Sequence, residues 1–255
     1  MIKRCDVLTL FPSAVEAYLA VGALGQAAAK GILELRVHDL RRWAVNRYGQ
    51  VDDEAYGGGP GMVLIAPVVV QAVRDVAGTG QPHVAVPDPR GRRFDDGVAR
   101  ELAGYERLVF VCGRYEGLDE RAYGLIGADQ LSLGDFILTG GELPALAMLE
   151  AAARFVPGVV GDPDSVRCDS FAAGLLDYPV FTRPRDVEGR EVPSVLLSGN
   201  HAAIASWRLQ ESVRATVVRR PDLVASRWGE LSAEVRRLVH EVSHEEGVPD
   251  PSPRE

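Results

Sequence analysis

With 255 residues, 46% of them hydrophobic and 25% charged, the chain has the make-up of a globular protein that can bury a sizeable core without staples. No run approaches the roughly 18 consecutive apolar residues that cross a bilayer, and the N-terminus leads straight into a strand-like run, so the reading is a cytoplasmic protein with no membrane partner. The net charge of −8 argues against a general nucleic-acid binder, and Cys5, Cys112 and Cys168, odd in number and without C-x-x-C spacing, read as reduced thiols.

Taken in order, a strand at 2–11 is followed by a helix at 13–30, a strand at 33–40, a helix at 66–77 and a strand at 83–87. A helix at 95–102, a strand at 108–112, a helix at 118–127, a strand at 130–133 and a helix at 142–155 complete the series. This alternation predicts an α/β fold: a parallel sheet covered by helices on both faces, with ligand sites at the carboxyl ends of its strands. Residues 1–160 are expected to form that domain. Residues 161–175, rich in Gly and Asp at their start, lack either periodicity and predict a flexible linker or lid. From 176 the chain changes to a Pro-rich extended stretch and then helices around 200–219 and 231–246, with Asn200 as an N-cap, which predicts a small helical domain over 176–246. Residues 247–255 read as a disordered acidic, Pro-rich tail.

Charge is unevenly placed. Lysine occurs only at Lys3 and Lys30, and arginines gather at 36–47, 90–93 and 183–220. Arginine forks suit phosphate and nucleobases, although a codon bias toward arginine gives the same count.

Several chemistries are excluded by spacing. The first strand lacks G-x-G-x-x-G, and Gly57-Gly-Gly-Pro-Gly61 lacks the Lys-Ser or Lys-Thr of a P-loop. His240 and His244 share i, i+4 spacing without a third ligand. What stands out is a set of glycine-punctuated strand ends: Pro87-Asp-Pro-Arg-Gly91, Cys112-Gly-Arg-Tyr-Glu-Gly-Leu-Asp-Glu-Arg121 and Leu131-Ser-Leu-Gly-Asp-Phe-Ile-Leu-Thr-Gly-Gly-Glu-Leu-Pro-Ala145. In a parallel sheet these tips converge on one rim. Bare glycine backbone there lets a ligand lie against main-chain amides and carbonyls.

The second and third of these, with Tyr56-Gly-Gly-Gly-Pro-Gly-Met62 and Gly174-Leu-Leu-Asp-Tyr-Pro-Val-Phe-Thr-Arg-Pro184, resemble the bacterial tRNA (guanine-N1)-methyltransferases that modify guanosine 37, members of the SPOUT superfamily. The likeness runs to about residue 245 and holds in order and spacing. It implies a SPOUT-type parallel sheet whose C-terminal part forms a deep trefoil knot, a homodimer, tRNA rather than DNA as partner, S-adenosylmethionine as methyl donor, and Mg2+ linked to the transfer. By motif match the donor would be held by Val86, Pro87, Pro89, Gly113, Tyr115, Leu133, Gly134, Asp135, Phe136, Ile137, Leu138, Gly140, Gly141 and Pro144. Asp169 matches the general base, Arg154 the residue facing guanine O6, and Glu116 a group for orientation or metal; the metal's place is left open. Gly59, Arg114, Ser165, Ser170, Arg183 and Arg185 would meet the tRNA. Two departures are visible. Phe136 stands where tyrosine is common, and Tyr178-Pro-Val-Phe181 replaces a Cys-Pro-His-Tyr flavour. A silent RNA-binding relative would keep the glycine loops, and a knotted ribose methyltransferase would need no base for guanine N1; the presence of both Asp169 and Arg154 argues against the first.

Overall fold

The computed structural model describes residues 1–161, 169–171 and 174–253. It divides into two compact units, Met1–Pro163 and Asp164–Glu255.

The first unit is built on five parallel strands. β1 (Arg4–Thr9) leads through α1 (Pro12–Leu19) and α2 (Gly22–Ala29) to β2 (Glu34–Asp39). A hairpin of β3 (Asp52–Glu54) and β4 (Met62–Leu64) precedes α3 (Ala66–Ala77), and β5 (His83–Arg93) is followed by α4 (Asp96–Gly104). Then come β6 (Arg107–Val111), α5 (Glu120–Ile126), β7 (Asp129–Ser132) and α6 (Glu142–Ala153). The sheet order is β2-β1-β6-β5-β7, with every pair parallel.

Period-two alternation explains the two cores. Along β6, Leu108 and Phe110 point into a core with α1, α2, α4 and α6, while Val109 and Val111 point into one with α3 and α5. On β1, Cys5 and Val7 join the first core and Leu8 the second. Phe110 is fully buried, and truncating such a side chain costs about 3–5 kcal/mol.

Four sequence expectations change in this unit. The helix expected at 13–30 breaks in two, because Gly22 takes a left-handed turn (φ +63°). Its second half packs so tightly on the first that a Cβ at Gly25 would lie 2.3 Å from the Ala20 carbonyl oxygen. The strand expected at 83–87 runs on to Arg93, with a register shift between Pro87 and Arg92 against β7. The β3–β4 hairpin was not expected, since three-residue strands carry too little alternation to read. The helix expected from 118 begins at Glu120, because Asp119 caps it by accepting the Arg121 N–H.

In the second unit a two-residue strand pair, β8 (Asp186–Val187) with β9 (Arg190–Glu191), precedes α7 (His201–Arg219), α8 (Pro221–Arg227) and α9 (Ala233–Glu246). Asn200 does cap α7, accepting the Ala203 N–H at 3.2 Å, and Ser232 caps α9. Val213, Val217, Val224, Leu231, Val235, Val239 and Val242 make a core that joins the three helices, with Leu175 added from the preceding stretch. Helix α8 and the strand pair were not expected. Within 247–253, Val248 packs on this core and Asp250 pairs with His240, whose ring also meets Trp228 edge-on.

Candidate functional site

The carboxyl ends of β5, β6 and β7 and the start of α6 surround a cavity of about 280 Å3. It is lined by Pro87, Pro89, Gly113, Tyr115, Leu133, Gly134, Phe136, Ile137, Leu138, Gly140, Gly141 and Pro144, which the sequence reading grouped, and by Arg114 and Glu116 as well. Two residues of that group stand apart. Val86 is wholly buried with its neighbours in the sheet core, where alternation turns its side chain toward α3 and α5, and Asp135 is exposed and outside the lining. Gly59 is also outside the lining; it lies in the β3–β4 loop.

The cavity exists because two loops approach backbone to backbone. The Gly141 N–H donates to the Gly113 carbonyl at 2.8 Å, and Arg114 bridges antiparallel to Gly140. A Cβ on Gly141 would lie 2.9 Å from Cys112 Cα, so a side chain there would force the loops apart. Gly134 adopts φ +153°, with the Ser132 hydroxyl donating to its carbonyl at 3.2 Å. Tyr115, though not glycine, holds φ +59°; such local strain is typical of residues over-determined by a site.

Polar contacts fix the walls. Asp88 is almost buried and accepts from the Arg90 backbone N–H (2.8 Å), from Arg90 Nε and Nη2 (3.1 and 3.0 Å) and from the Tyr123 hydroxyl (2.6 Å). Burial raises its pKa, but the hydrogen bonds from Arg90 and Tyr123 outweigh that and hold the carboxyl below its ordinary value. Burial, with the hydrogen bond to Asp88 second, pushes the Tyr123 phenol up. Asp88, Arg90 and Tyr123 all line the cavity, and sequence reasoning missed them as site residues. Asp88 and Tyr123 lie 35 positions apart, so only the convergence of strand ends pointed to that place.

On the opposite wall, Glu142 at the start of α6 accepts from the Thr9 hydroxyl at 2.8 Å and pairs with Arg114 at 2.9 Å. The Arg114 guanidinium lies over the Phe11 ring at 4.3 Å and donates to the Thr139 carbonyl at 3.3 Å. Burial, and then the Glu142 charge, raise the pKa of the Cys112 thiol, and burial raises that of Cys5, so neither is a nucleophile.

Other expected site residues lie around this centre or beyond it. Glu116 lies under the glycine loop between β3 and β4: its N–H donates to the Met62 carbonyl at 3.0 Å, and a Cβ at Gly61 would lie 2.6 Å from its Oε1. Arg154 follows α6 as its C-cap and is exposed. In the second unit Asp169 is half-buried, and the Ser170 hydroxyl accepts the Asp177 N–H at 3.0 Å. Ser165 lies outside the described residues. Arg183 and Arg185 line a separate cavity of about 410 Å3 within the second unit, beside Phe181, Trp207 and Arg208. Among the described residues no three His, Cys, Asp or Glu gather as metal ligands, and no helix is long and apolar enough to cross a membrane.

Comparison with known proteins gives one consistent result. The family model described as tRNA (Guanine-1)-methyltransferase TrmD matches residues 3–226. A tRNA (guanine-N(1)-)-methyltransferase of Moorella thermoacetica is 45% identical over 251 residues, covering 97% of this chain and 100% of the relative. A protein of the same name from Geobacter sulfurreducens is 48% identical over 236 residues, 91% of this chain and 95% of the relative. That of Frankia alni is 46% identical over 245 residues, 95% and 92% of the two chains.

Proposed function

The chain belongs to the tRNA (guanine-1)-methyltransferase family, and on that premise we propose that it methylates N1 of guanosine 37 in tRNAs that carry guanosine at 36, an activity that helps maintain the reading frame. Methylation of guanine N1 in tRNA, with S-adenosylmethionine as donor, is the activity of the family. The observation that carries the reading is the cavity itself: the motif loops 87–89, 113–116 and 133–141 meet at the carboxyl ends of three neighbouring strands.

The cavity suits the donor. Leu133, Phe136, Ile137 and Leu138 offer an apolar slot, and the absence of side chains at Gly113, Gly134, Gly140 and Gly141 lets an adenine edge come close to the main chain. Together with Pro87, Pro89, Tyr115 and Pro144 these residues would hold it. When bound, the donor supplies a methyl group already activated on a sulfonium. We further read the crossing of loops 113–116 and 133–141 as part of a SPOUT trefoil knot. Val86 and Asp135 would contribute main chain at most.

The remaining task falls to side chains. Guanine N1 is protonated at neutral pH, so its lone pair is available only once a base takes the proton. Asp169 accepts that proton. Arg154 faces O6, where negative charge collects, and stabilises it with a charge-assisted hydrogen bond. Gly59, Arg114, Ser165, Ser170, Arg183 and Arg185 bind the RNA, and Glu116 orients the reacting groups. Among the described residues no three His, Cys, Asp or Glu gather, so a Mg2+ linked to the transfer would be held by one or two carboxylates together with water or substrate oxygens. The enzyme works as a cytoplasmic homodimer.

The test uses labelled methyl donor with a tRNA transcript bearing guanosine at 36 and 37. Label enters N1 of guanosine 37, and changing position 37 to adenosine abolishes it. Transfer to ribose, or equal labelling of both transcripts, sinks the assignment.

A further inference from the structure

A carboxylate behind the cavity wall has no role in the chemistry above. Glu142 is 6% exposed, and a charge taken out of water at that depth is costly unless paired. One oxygen is satisfied by Thr9. The other lies 2.9 Å from Arg114 Nη2, yet neither that oxygen nor Arg114 Nε completes an aligned hydrogen bond. The pair is held by charge rather than by a closed fork, whereas packing alone would be served by an uncharged side chain of the same shape.

Its position is the second observation. A methyl group placed on Gly140 would lie 2.6 Å from Glu142 Oε2 and 2.3 Å from Arg114 Nε. Gly140 lines the cavity, as does Arg114, so a single glycine backbone separates the carboxylate from whatever the cavity holds. Charges screened only by buried backbone act more strongly than charges in water. Arg114 is also fixed from its other side by Thr139 and Phe11, so its positive charge stays at the wall whatever happens to Glu142.

We propose that Glu142 sets the charge of the cofactor cavity and so determines its preference for a cationic methyl donor over the neutral thioether that transfer leaves behind. This rests on the reading that the donor occupies the cavity. S-adenosylmethionine carries one positive charge more than S-adenosylhomocysteine. With Glu142 in place, the Arg114 charge is balanced; without it the sulfonium faces an unbalanced guanidinium, while Glu116 and the Asp88–Arg90 pair elsewhere in the lining stay as they are.

The experiment is calorimetric titration of the full chain with each of the two ligands. Glu142→Gln keeps the shape and the Thr9 contact while removing the charge. Affinity for S-adenosylmethionine falls about tenfold, and that for S-adenosylhomocysteine is nearly unchanged. A parallel loss of both, or an unchanged ratio, overturns the proposal. Arg114→Gln moves the ratio the other way, and the double variant Arg114→Gln/Glu142→Gln returns it to the starting value; failure of that reversal also overturns it, even where Glu142→Gln does not fold. The cavity reading has its own control in Gly141→Ala, whose added methyl crowds Cys112 Cα. Loss of both ligands supports the cavity as their site, and wild-type binding of both would remove the premise and the proposal together.

Discussion

Asp6 is completely buried in β1 and carries charge that matters for stability rather than for the site. Burial would raise its pKa, but hydrogen bonds from His38 Nε2 and from Arg4 Nε and Nη2, each 2.8 Å, outweigh it and hold the carboxyl below its ordinary value. A folded value below the unfolded one, about 3.9, means that the stabilisation is complete above that pH and is lost as pH falls through the folded value. Asp6→Asn therefore lowers stability at neutral pH by about 3–5 kcal/mol, because the basic partners are left unpaired, and flattens the acid limb below about pH 4. Urea unfolding across pH measures both, and an acid limb as steep as the wild type's would refute the assignment. Asp169 bears on turnover rather than on stability. If it takes the N1 proton, Asp169→Ala lowers turnover about 10²- to 10⁴-fold while donor binding, followed by titration, stays intact. Undiminished turnover removes it as the base.

The elements show where sequence and structure part. β5 continues past two prolines, Pro87 and Pro89, which cannot donate to a ladder and so read as the end of a strand. The chain instead shifts register and pairs again from Arg92, pressed against β7. There a Cβ on Gly91 would lie 2.4 Å from Gln130 C and Leu131 N. Gly91→Ala must push main chain against main chain, costing about 1–3 kcal/mol or more. Gly104→Ala, at the end of α4 with nothing within 4 Å, is neutral or stabilising by up to about 1 kcal/mol. Thermal unfolding of the two variants checks this, and equal effects would contradict the tight β5–β7 crossing. The strands of the sheet were legible because burial on both faces leaves near-continuous apolar runs such as 107–111, and the rule for parallel sheets then located the rim. The break at Gly22 was not legible, since the residues on either side keep helical spacing. Nor was the tie between Asp88, Arg90 and Tyr123, because nothing local in Asp88 announces a hydroxyl 35 positions away. Motif likeness supplied the loops of the cavity, but it could not distinguish Val86, whose side chain alternation turns into the sheet, from Pro87 beside it.

At the scale of the whole molecule, net charge and apolar surface point to partners. The chain is acidic overall, yet among the described residues Arg183 and Arg208 have no acidic partner within 4.0 Å, while Arg4, Arg90, Arg92, Arg114, Arg214 and Arg220 do. A phosphate backbone would find unpaired positive charge at these two arginines, which line the second unit's cavity. The first unit carries the opposite feature. Ile137 is 78% exposed and Leu143 68%, with Phe136 and Leu138 also open, although α6 otherwise buries apolar side chains along most of its length. Large apolar side chains gathered in one short segment mark an interaction surface more often than a solvated one. The proposed homodimer would cover Ile137 and Leu143, because a two-fold interface is self-complementary and sets the same segment on both copies. Light scattering is then expected to give twice the chain mass of 27.5 kDa for the wild type, and Leu143→Glu, which buries a charge in that interface, shifts the population toward the single chain. The substitution lies on the exposed face of α6, so circular dichroism and donor titration keep their wild-type form if the first unit is self-sufficient. A wild type of single-chain mass would exclude the dimer outright, and a Leu143→Glu variant that stays at twice that mass would place the interface elsewhere.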